Sequence, residues 1–92
     1  MAGIPPPEYR IRFAPSARRQ LEDLPRKVQQ RIAAHVDPLA VSPRPRGSIK
    51  LEGEDDLYRI RVGKYRVIYA IRDEELIVLV LRVGHRRDVY RG

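Results

Sequence analysis

Residues 9–13, Tyr-Arg-Ile-Arg-Phe, alternate strictly between apolar and basic side chains. Because successive side chains of a β-strand point to opposite faces, a strand here would direct its three apolar residues to one face and its two arginines to the other. The pattern therefore predicts a β-strand that places Tyr9, Ile11 and Phe13 against the core.

Two helices are predicted after this strand, because apolar residues recur there every three or four positions. Pro15 suits the first turn of the first helix, and Pro25 ends that helix and opens the second one as its first residue. Pro38 ends or kinks the second helix, since it has no amide hydrogen to donate to the carbonyl of Ala34. The apolar positions of this helical hairpin are Ala17, Leu21, Leu24, Val28, Ile32 and Val36.

The second half of the chain predicts three consecutive strands. Residues 57–62 and 65–72 alternate between apolar and polar or basic side chains, and Gly63-Lys64 joins them as the turn of a β-hairpin. Residues 76–83 are apolar at nearly every position, which is typical of a central strand covered on both faces. The acidic residues 73–75 form the second tight turn of this meander.

These elements predict an α+β fold. In chain order, the elements are a strand, a helical hairpin and a three-stranded meander. The strands form a small antiparallel sheet, and the two helices pack on one of its faces. We expect the proline-rich residues 1–8 to form a disordered tail and residues 42–47 to form a loop. Residues 9–92 then form a single domain, since a chain of 92 residues supplies one modest core.

The composition excludes several classes of protein. The chain has no cysteine, which excludes disulfides, thiolate zinc sites and a cysteine nucleophile. Its hydrophobic fraction of 42% is too high for a disordered chain. No segment approaches the roughly 18 apolar residues of a membrane span, and the first residues lack the pattern of a secretion signal. We therefore expect a cytoplasmic protein that has no membrane partner.

The charge of the chain is strongly positive and unevenly distributed. With a net charge of +7 and a pI near 10.4, the chain should attract nucleic acid, an anionic membrane or an acidic partner. Only three of the 19 basic residues are lysines. Arginine favours bidentate binding of phosphate, although a GC-rich genome would give the same bias. Residues 57–72 contain five basic and no acidic residues, and acidic residues flank them on both sides.

The end of the chain combines residue types that suit a polyanion. Residues 82–91, which follow the most apolar predicted strand, contain four arginines together with His85 and Tyr90. Guanidinium groups bind phosphate oxygens, and a tyrosine ring can stack on a base. This cluster predicts a protein that acts on RNA.

Strand alternation brings further arginines towards this cluster. The apolar residues of the first hairpin strand belong against the helices, which leaves Arg59 and Arg61 on the opposite, open face. Arg66 belongs to the less apolar set of the next strand and is expected on the same face. Arg86 and Tyr90 leave the end of the adjacent strand. We expect these five side chains to converge on one concave surface.

Three segments resemble the RelE toxins of bacterial and archaeal type II toxin–antitoxin systems. The segments are Tyr58-Arg59-Ile60-Arg61, Gly63-Lys64-Tyr65-Arg66-Val67-Ile68-Tyr69 and Val83-Gly84-His85-Arg86-Arg87-Asp88-Val89-Tyr90. The order of the predicted elements is similar as well, and the resemblance covers residues 9–91. The last two segments are fairly specific in combination, whereas each alone would be a weak signal.

The resemblance implies a ribosome-dependent endoribonuclease, an mRNA interferase that inhibits translation by cutting messenger RNA in the decoding site of a 70S-type ribosome. It implies in-line attack of a ribose 2′-hydroxyl on the adjacent phosphate, with no metal and no other cofactor. It also implies a cognate antitoxin protein that neutralises the toxin, and contact with DNA only indirectly, through the antitoxin complex.

The resemblance further implies roles for individual residues. Arg59 and Arg61 fall at positions where RelE toxins have basic residues, often lysines, that take part in proton transfer. Arg66 and Arg86 fall at positions that hold the phosphate and stabilise its added negative charge. Tyr90 falls at the position of a tyrosine that stacks on or orients the substrate nucleotide.

The identity of the general base is open, because arginine stands at these positions and is effectively never deprotonated in proteins. Histidine as a residue type titrates near neutral pH, which makes His85 a candidate for the base, although it can also be an ordinary loop residue. Tyr90 is a second candidate, since nearby positive charge favours the phenolate. A ribosomal group that assists the reaction is the third.

The other site residues also have structural interpretations. Arg59 and Arg61 can be solvated strand charges that keep the hairpin soluble. Arg66 and Arg86 can form ordinary surface salt bridges, and Tyr90 can cover the core.

Two other functions compete with RNA cleavage. ParE-type toxins have the same fold and inhibit DNA gyrase without cutting RNA, and a non-catalytic basic RNA-binding module would satisfy the charge alone. ParE toxins generally lack the full set of basic residues together with the terminal tyrosine. The co-occurrence of the predicted site residues therefore favours the endoribonuclease.

Overall fold

A computed structural model of the chain describes residues 8–51, 53 and 56–85, which form a five-stranded sheet with two helices on one face. The elements in chain order are β1 (Arg10–Phe13), α1 (Pro15–Glu22), α2 (Arg26–Val36), a 3-10 turn (Asp37–Ala40), β2 (Ile49–Lys50), β3 (Leu57–Val62), β4 (Tyr65–Arg72) and β5 (Ile77–His85). The predicted α+β fold, with a helical hairpin after the first strand, is confirmed. Apart from Glu8, the tail predicted over residues 1–8 lies outside the described residues.

The sheet is mixed, which corrects the prediction of a purely antiparallel sheet. Its strand order is β1-β5-β4-β3-β2, and β1 pairs with β5 in parallel, with Arg10 opposite Ile77 and Phe13 opposite Val80. The two helices cross one face of the sheet and return the chain to the end from which β1 started, as parallel strands require. Strand β3 therefore runs in the direction of β1, and so does β5 after the two antiparallel turns of the meander.

Strand β2 is an addition to the predicted elements. It contains only two residues, which pair antiparallel with Arg59 and Tyr58 of β3. A strand this short carries no detectable alternation, so the pattern of the sequence does not reveal it.

The predicted boundaries are close to those of the structure. Pro25 precedes α2 rather than being its first residue, and its carbonyl accepts hydrogen bonds from the amides of Val28 and Gln29. Helix α2 ends at Val36, before Pro38, as expected. Strand β5 begins one residue later than predicted, because Leu76 adopts a φ of 54° and belongs to the turn.

The core lies between the helices and the sheet face that they cover. The helices and the 3-10 turn contribute Ala17, Ile32, Val36 and Leu39, each at most 1% exposed. Alternate strand positions supply the opposite side of this core, because the register places them on the same face. These buried strand residues are Ile60, Val62, Val67, Tyr69, Ile71, Val78, Val80 and Val83.

A polar clamp holds the loop after the 3-10 turn against this side of the sheet. The guanidinium of Arg44 donates two hydrogen bonds to the carboxylate of Asp73, at 2.8 and 3.3 Å, and a third to the hydroxyl of Tyr58 at 3.0 Å. The hydroxyl of Tyr9 donates to Asp73 at 2.6 Å. The hydroxyl of the fully buried Tyr69 donates to the carbonyl of Pro43 in the same loop, at 2.7 Å.

Replacing Tyr69 with phenylalanine removes the buried donor to Pro43. We expect the free energy of unfolding at pH 7 to fall by about 1–2 kcal/mol in urea denaturation, because a buried carbonyl loses its partner. Burial raises the pKa of Tyr69 from 10.0 to about 12. The stability that the neutral Tyr69 contributes is therefore complete below pH 10 and is lost as the pH rises towards 12. In that range the tyrosine of the unfolded chain ionises before that of the folded protein does. The difference between wild type and variant should shrink there, and a constant difference would contradict this role.

Replacing Asp73 with asparagine tests the clamp at acidic pH. The Arg44 guanidinium, and then the Tyr9 hydroxyl, lower the pKa of Asp73 below its ordinary value. A lowered pKa adds stability above the unfolded value and loses it as the pH falls through the folded value. We therefore expect the difference in unfolding free energy between wild type and variant, modest for an exposed pair, to decrease below about pH 4. Glu75→Gln, in the same turn, is the control, and an equal response to acid would show that the clamp is not responsible.

Candidate RNA-binding site

The strand arginines all lie on the sheet face opposite the helices. Ile11 and Phe13 of β1 pack against the core, which directs Arg10 and Arg12 to the other side. The same alternation and the register of the meander place the remaining strand arginines with them. The seven residues are Arg10 and Arg12 of β1, Arg59 and Arg61 of β3, Arg66 and Arg72 of β4, and Arg82 of β5. We call this surface the basic face.

Four of these arginines are neighbours at one end of the basic face. Arg59 and Arg82 are the register partners of Ile68 on its two sides, and Arg61 is the partner of Arg66. Directly opposite residues on one face of a sheet have Cβ atoms about 4.5–5.5 Å apart. Arg59, Arg61, Arg66 and Arg82 therefore form one group, which we call the arginine cluster.

The arginine cluster is partly withdrawn from solvent. Arg59, Arg66 and Arg82 are half-buried, whereas Arg61 is exposed. The Nε atom of Arg59 and the Nε and Nη1 atoms of Arg66 are buried. Charges in a partly desolvated position act more strongly than in bulk water, and side chains that are already ordered lose less entropy when a ligand binds. Both effects favour the binding of an anion here.

A β-bulge in β5 brings Arg82 into the arginine cluster. Ile68 pairs with Arg82 and its neighbour Tyr69 pairs with Val80, so Leu81 is the additional residue of the bulge. Without the bulge, strict alternation from the buried Val80 would direct Arg82 towards the helices. The sequence analysis counted Arg82 among the four arginines of residues 82–91 but did not assign it to the surface that carries Arg59, Arg61 and Arg66. The reason is that β5 is apolar at nearly every position, and such a run contains no alternation in which a register shift could be recognised.

Gly84 leaves a recess in the basic face next to Arg66. The two residues are register partners on β5 and β4. Among the described residues, no heavy atom lies within 4 Å of the position that a Cβ atom of residue 84 would occupy. Residue 84 itself therefore adds no side chain to this part of the basic face.

The structure brings together only part of the predicted site. The predicted residues that meet in the arginine cluster are Arg59, Arg61 and Arg66. Arg86 and Tyr90 lie outside the described residues, so their roles stay predictions.

His85 lies on the other face of the sheet from the arginine cluster. It is the register partner of Tyr65, with which it makes an edge-to-face contact at 6.0 Å between ring centroids. Both rings border a groove of about 390 Å³ beside α1, which is lined by Gln20 and Leu24 and also by Arg82 of the arginine cluster. Register places His85 on the opposite face from the other three arginines of the cluster. Its position gives the general-base hypothesis no direct support, and this role stays a prediction.

The described charges are polarised along the strands. The arginine cluster lies near the Gly63-Lys64 turn, whereas Asp56, Asp73, Glu74 and Glu75 gather around a groove at the opposite end of the sheet. Such a separation orients an approaching polyanion towards one end of the molecule, because the acidic end repels it.

The chemistry available to the arginine cluster is electrostatic. Guanidinium groups bind phosphate in a bidentate manner and stabilise negative charge that develops on it, but they do not exchange protons at physiological pH. Within the described residues, no group of three or more histidine, aspartate or glutamate side chains is arranged to hold a metal ion. In the same part of the chain, no helix is long and apolar enough to cross a membrane.

Comparison with known proteins agrees with this arrangement. Residues 11–90 match the family model of the ParE toxin of the type II toxin–antitoxin system parDE. The toxin RelG of Mycobacterium tuberculosis is 34% identical over 90% of this chain and 97% of its own length. The mRNA interferase toxin RelE of Escherichia coli K12 is 30% identical over 89% of this chain and 90% of its own length.

A solved structure has the same fold. The archaeal RelE–RelB complex from Pyrococcus horikoshii contains a chain that superimposes with a TM-score of 0.77 and is 34% identical, over 88% of this chain and 98% of that one. The match of the family model over most of the chain, together with relatives of this identity and coverage, shows that this protein belongs to the RelE-type toxins of the RelE/ParE superfamily, which are the toxins of type II toxin–antitoxin systems.

Proposed function

We propose that this toxin is an endoribonuclease that cleaves messenger RNA on the ribosome and thereby inhibits translation. The observation that carries the proposal is the arginine cluster, in which arginines of three adjacent strands are neighbours on the sheet face opposite the helices. A relative with 30% identity is named an mRNA interferase, which supports ribonuclease chemistry for this chain. We expect the bound messenger RNA to lie across the basic face.

The proposed reaction is attack of a ribose 2′-hydroxyl on the adjacent phosphate. The bond from the 2′-oxygen to phosphorus forms as the bond from phosphorus to the 5′-oxygen breaks, which yields a 2′,3′-cyclic phosphate and a 5′-hydroxyl. The phosphorus passes through a five-coordinate state with added negative charge. Arg61 and Arg66 face each other across β3 and β4 and are the residues placed to stabilise this charge.

Two protons must move in this reaction, one from the 2′-hydroxyl and one to the leaving 5′-oxygen. Arginine as a residue type is a poor base, so the proposed contribution of Arg59 and Arg61 is charge and orientation. The position of His85 on the other face gives its role as the base no direct support. We therefore propose that the protons are transferred by Tyr90, for which the family resemblance implies a contact with the substrate nucleotide, or by a group of the ribosome. Arg86 is proposed as a further phosphate ligand.

We also propose a cognate antitoxin as partner. The archaeal relative with the same fold is a RelE chain in complex with RelB. An acidic or amphipathic segment of such a partner would complement the basic face. With a ribosome and an antitoxin as partners, we propose that the protein acts in the cytoplasm.

Inhibition of DNA gyrase is the second candidate function, because the matching family model is that of the ParE toxin. A gyrase inhibitor would not require the arginine cluster for phosphoryl chemistry. Translation that proceeds without new cuts in the message, combined with inhibition of gyrase supercoiling, would favour this candidate.

Replacing Arg66 with alanine should abolish most of the cleavage. We expect the rate to fall about 100- to 1000-fold, since a preorganised donor to the transition-state charge is lost. Primer extension on a message translated in a cell-free system measures the cuts, which should disappear when ribosomes are omitted. Arg72→Ala is the matched control, because Arg72 lies on the same strand and face but at the acidic end. An equal loss in both variants would indicate that net charge, and not the arginine cluster, determines activity.

Replacing Arg82 with alanine tests whether the bulge contributes to the site. We expect a decrease in cleavage of about 10-fold or more in the same assay, with partial recovery in Arg82→Lys, because lysine keeps the charge but not the bidentate geometry. Unchanged cleavage by Arg82→Ala would restrict the functional arginines to β3 and β4.

A further inference from the structure

A groove follows the β2 edge of the sheet, beside the arginine cluster. It is bordered by His35 at the end of α2, by Pro45 and Arg46 of the preceding loop, and by Ile49 of β2. Its volume of about 380 Å³ is within the range of small-molecule sites, roughly 300–1,000 Å³. Of the residues that line the groove, the proposed cleavage uses only Arg59 and Arg61, which lie on its inner side on β3. The residues that line its outer side, on α2, the loop and β2, have no assigned function.

The groove exists because β2 is shorter than β3. The two residues of β2 pair with Tyr58 and Arg59, whereas β3 continues to Val62. Gly47, with a φ of 94°, turns the chain just before β2 begins. The edge of β3 after Arg59 is therefore not covered by β2, and Arg61 borders the groove.

The lining of the groove matches the parts of a nucleotide. Arg46 on the outer side and Arg61 on the inner side are exposed cations, and no acidic residue is among the described residues that border the groove. Ile49 is 47% exposed, and with Pro45 it offers an apolar surface for the face of a base. An anionic phosphate and a flat, weakly polar base are the groups that these two surfaces complement.

His35 adds a hydrogen-bond acceptor with a defined orientation. Its Nδ1 lies 2.9 Å from the carbonyl oxygen of Arg31. A carbonyl oxygen only accepts, so Nδ1 must carry the proton of this hydrogen bond, and the tautomer follows. In the neutral ring, Nε2 then holds a lone pair on the side away from the helix backbone. A ribose 2′-hydroxyl is a donor that can use it, and this hydroxyl distinguishes RNA from DNA.

We propose that the groove binds the ribonucleotide next to the one that is cleaved, with Arg46 on its phosphate, Ile49 against its base and His35 on its 2′-hydroxyl. The inference rests on the proposed RNA-cleaving function and extends it from the scissile phosphate to a neighbouring subsite. Arg59 and Arg61 belong to the arginine cluster and also line the groove. A bound RNA strand would therefore pass from one to the other without a break.

The test is the binding of a fluorescently labelled single-stranded RNA of about eight nucleotides to the free protein, measured by fluorescence anisotropy. We expect Arg46→Ala to weaken binding about three- to tenfold and to reduce the slope of log K against log salt by about 0.7, the value for one lost phosphate contact on a single strand. We expect His35→Ala to weaken binding of the RNA but not of DNA with the same sequence. Arg18→Ala on the exposed side of α1 is the charge-matched control, and thermal melting verifies that each variant folds.

Each outcome decides the proposal. An unchanged affinity and salt slope in Arg46→Ala, or an effect equal to that of Arg18→Ala, would overturn the subsite. Equal weakening of RNA and DNA binding by His35→Ala would overturn the ribose contact. A wild-type protein that does not bind the oligonucleotide would also overturn the subsite, whereas the proposed function is decided separately by the cleavage assay with Arg66→Ala.

Discussion

The structure depends on the exclusion of arginine from the sheet face that lies under the helices. Alternate residues of every long strand are apolar and lie under the helices, and the residues between them include all the strand arginines. A guanidinium under the helices would lose its hydration without a partner, at a cost that a domain of this size cannot offset. The same alternation that builds the core therefore gathers the positive charge on the opposite face, and the site is a direct consequence of folding.

Like charges on adjacent strands repel each other, and the arginine cluster gathers four cations on three neighbouring strands. The other face of the sheet carries the packing and the hydrogen bonds of the core. On that face the fully buried Tyr69 stacks on Tyr58, with 6.1 Å between ring centroids, and its hydroxyl donates a hydrogen bond to Pro43 of the loop. The ion pair between Arg44 and Asp73 holds the same loop at the protein surface. One face of the sheet thus gathers charge, whereas the other contributes packing and hydrogen bonds that stabilise the fold.

An arginine-based site limits what the protein can do by itself. Phosphate binding and stabilisation of added negative charge need only fixed cations, and the arginine cluster provides them. Proton transfer needs a group that titrates, and none of the four arginines is one. In the proposed reaction the protons must therefore be transferred by another group, either Tyr90 or a group of the ribosome.

The sequence alone determined the order of the elements, the two faces of β3 and β4, and the positions of Arg59, Arg61 and Arg66, because period-two alternation and proline positions are local signals. Three features were decided only by the tertiary structure. The parallel pairing of β1 with β5 depends on the path of the helical crossover. The position of Arg82 in the arginine cluster and that of His85 on the other face depend on the pairing of β5, where the bulge shifts the alternation after Val80. Register is a property of two strands together, so a single apolar run cannot specify on which face the residues that follow it lie.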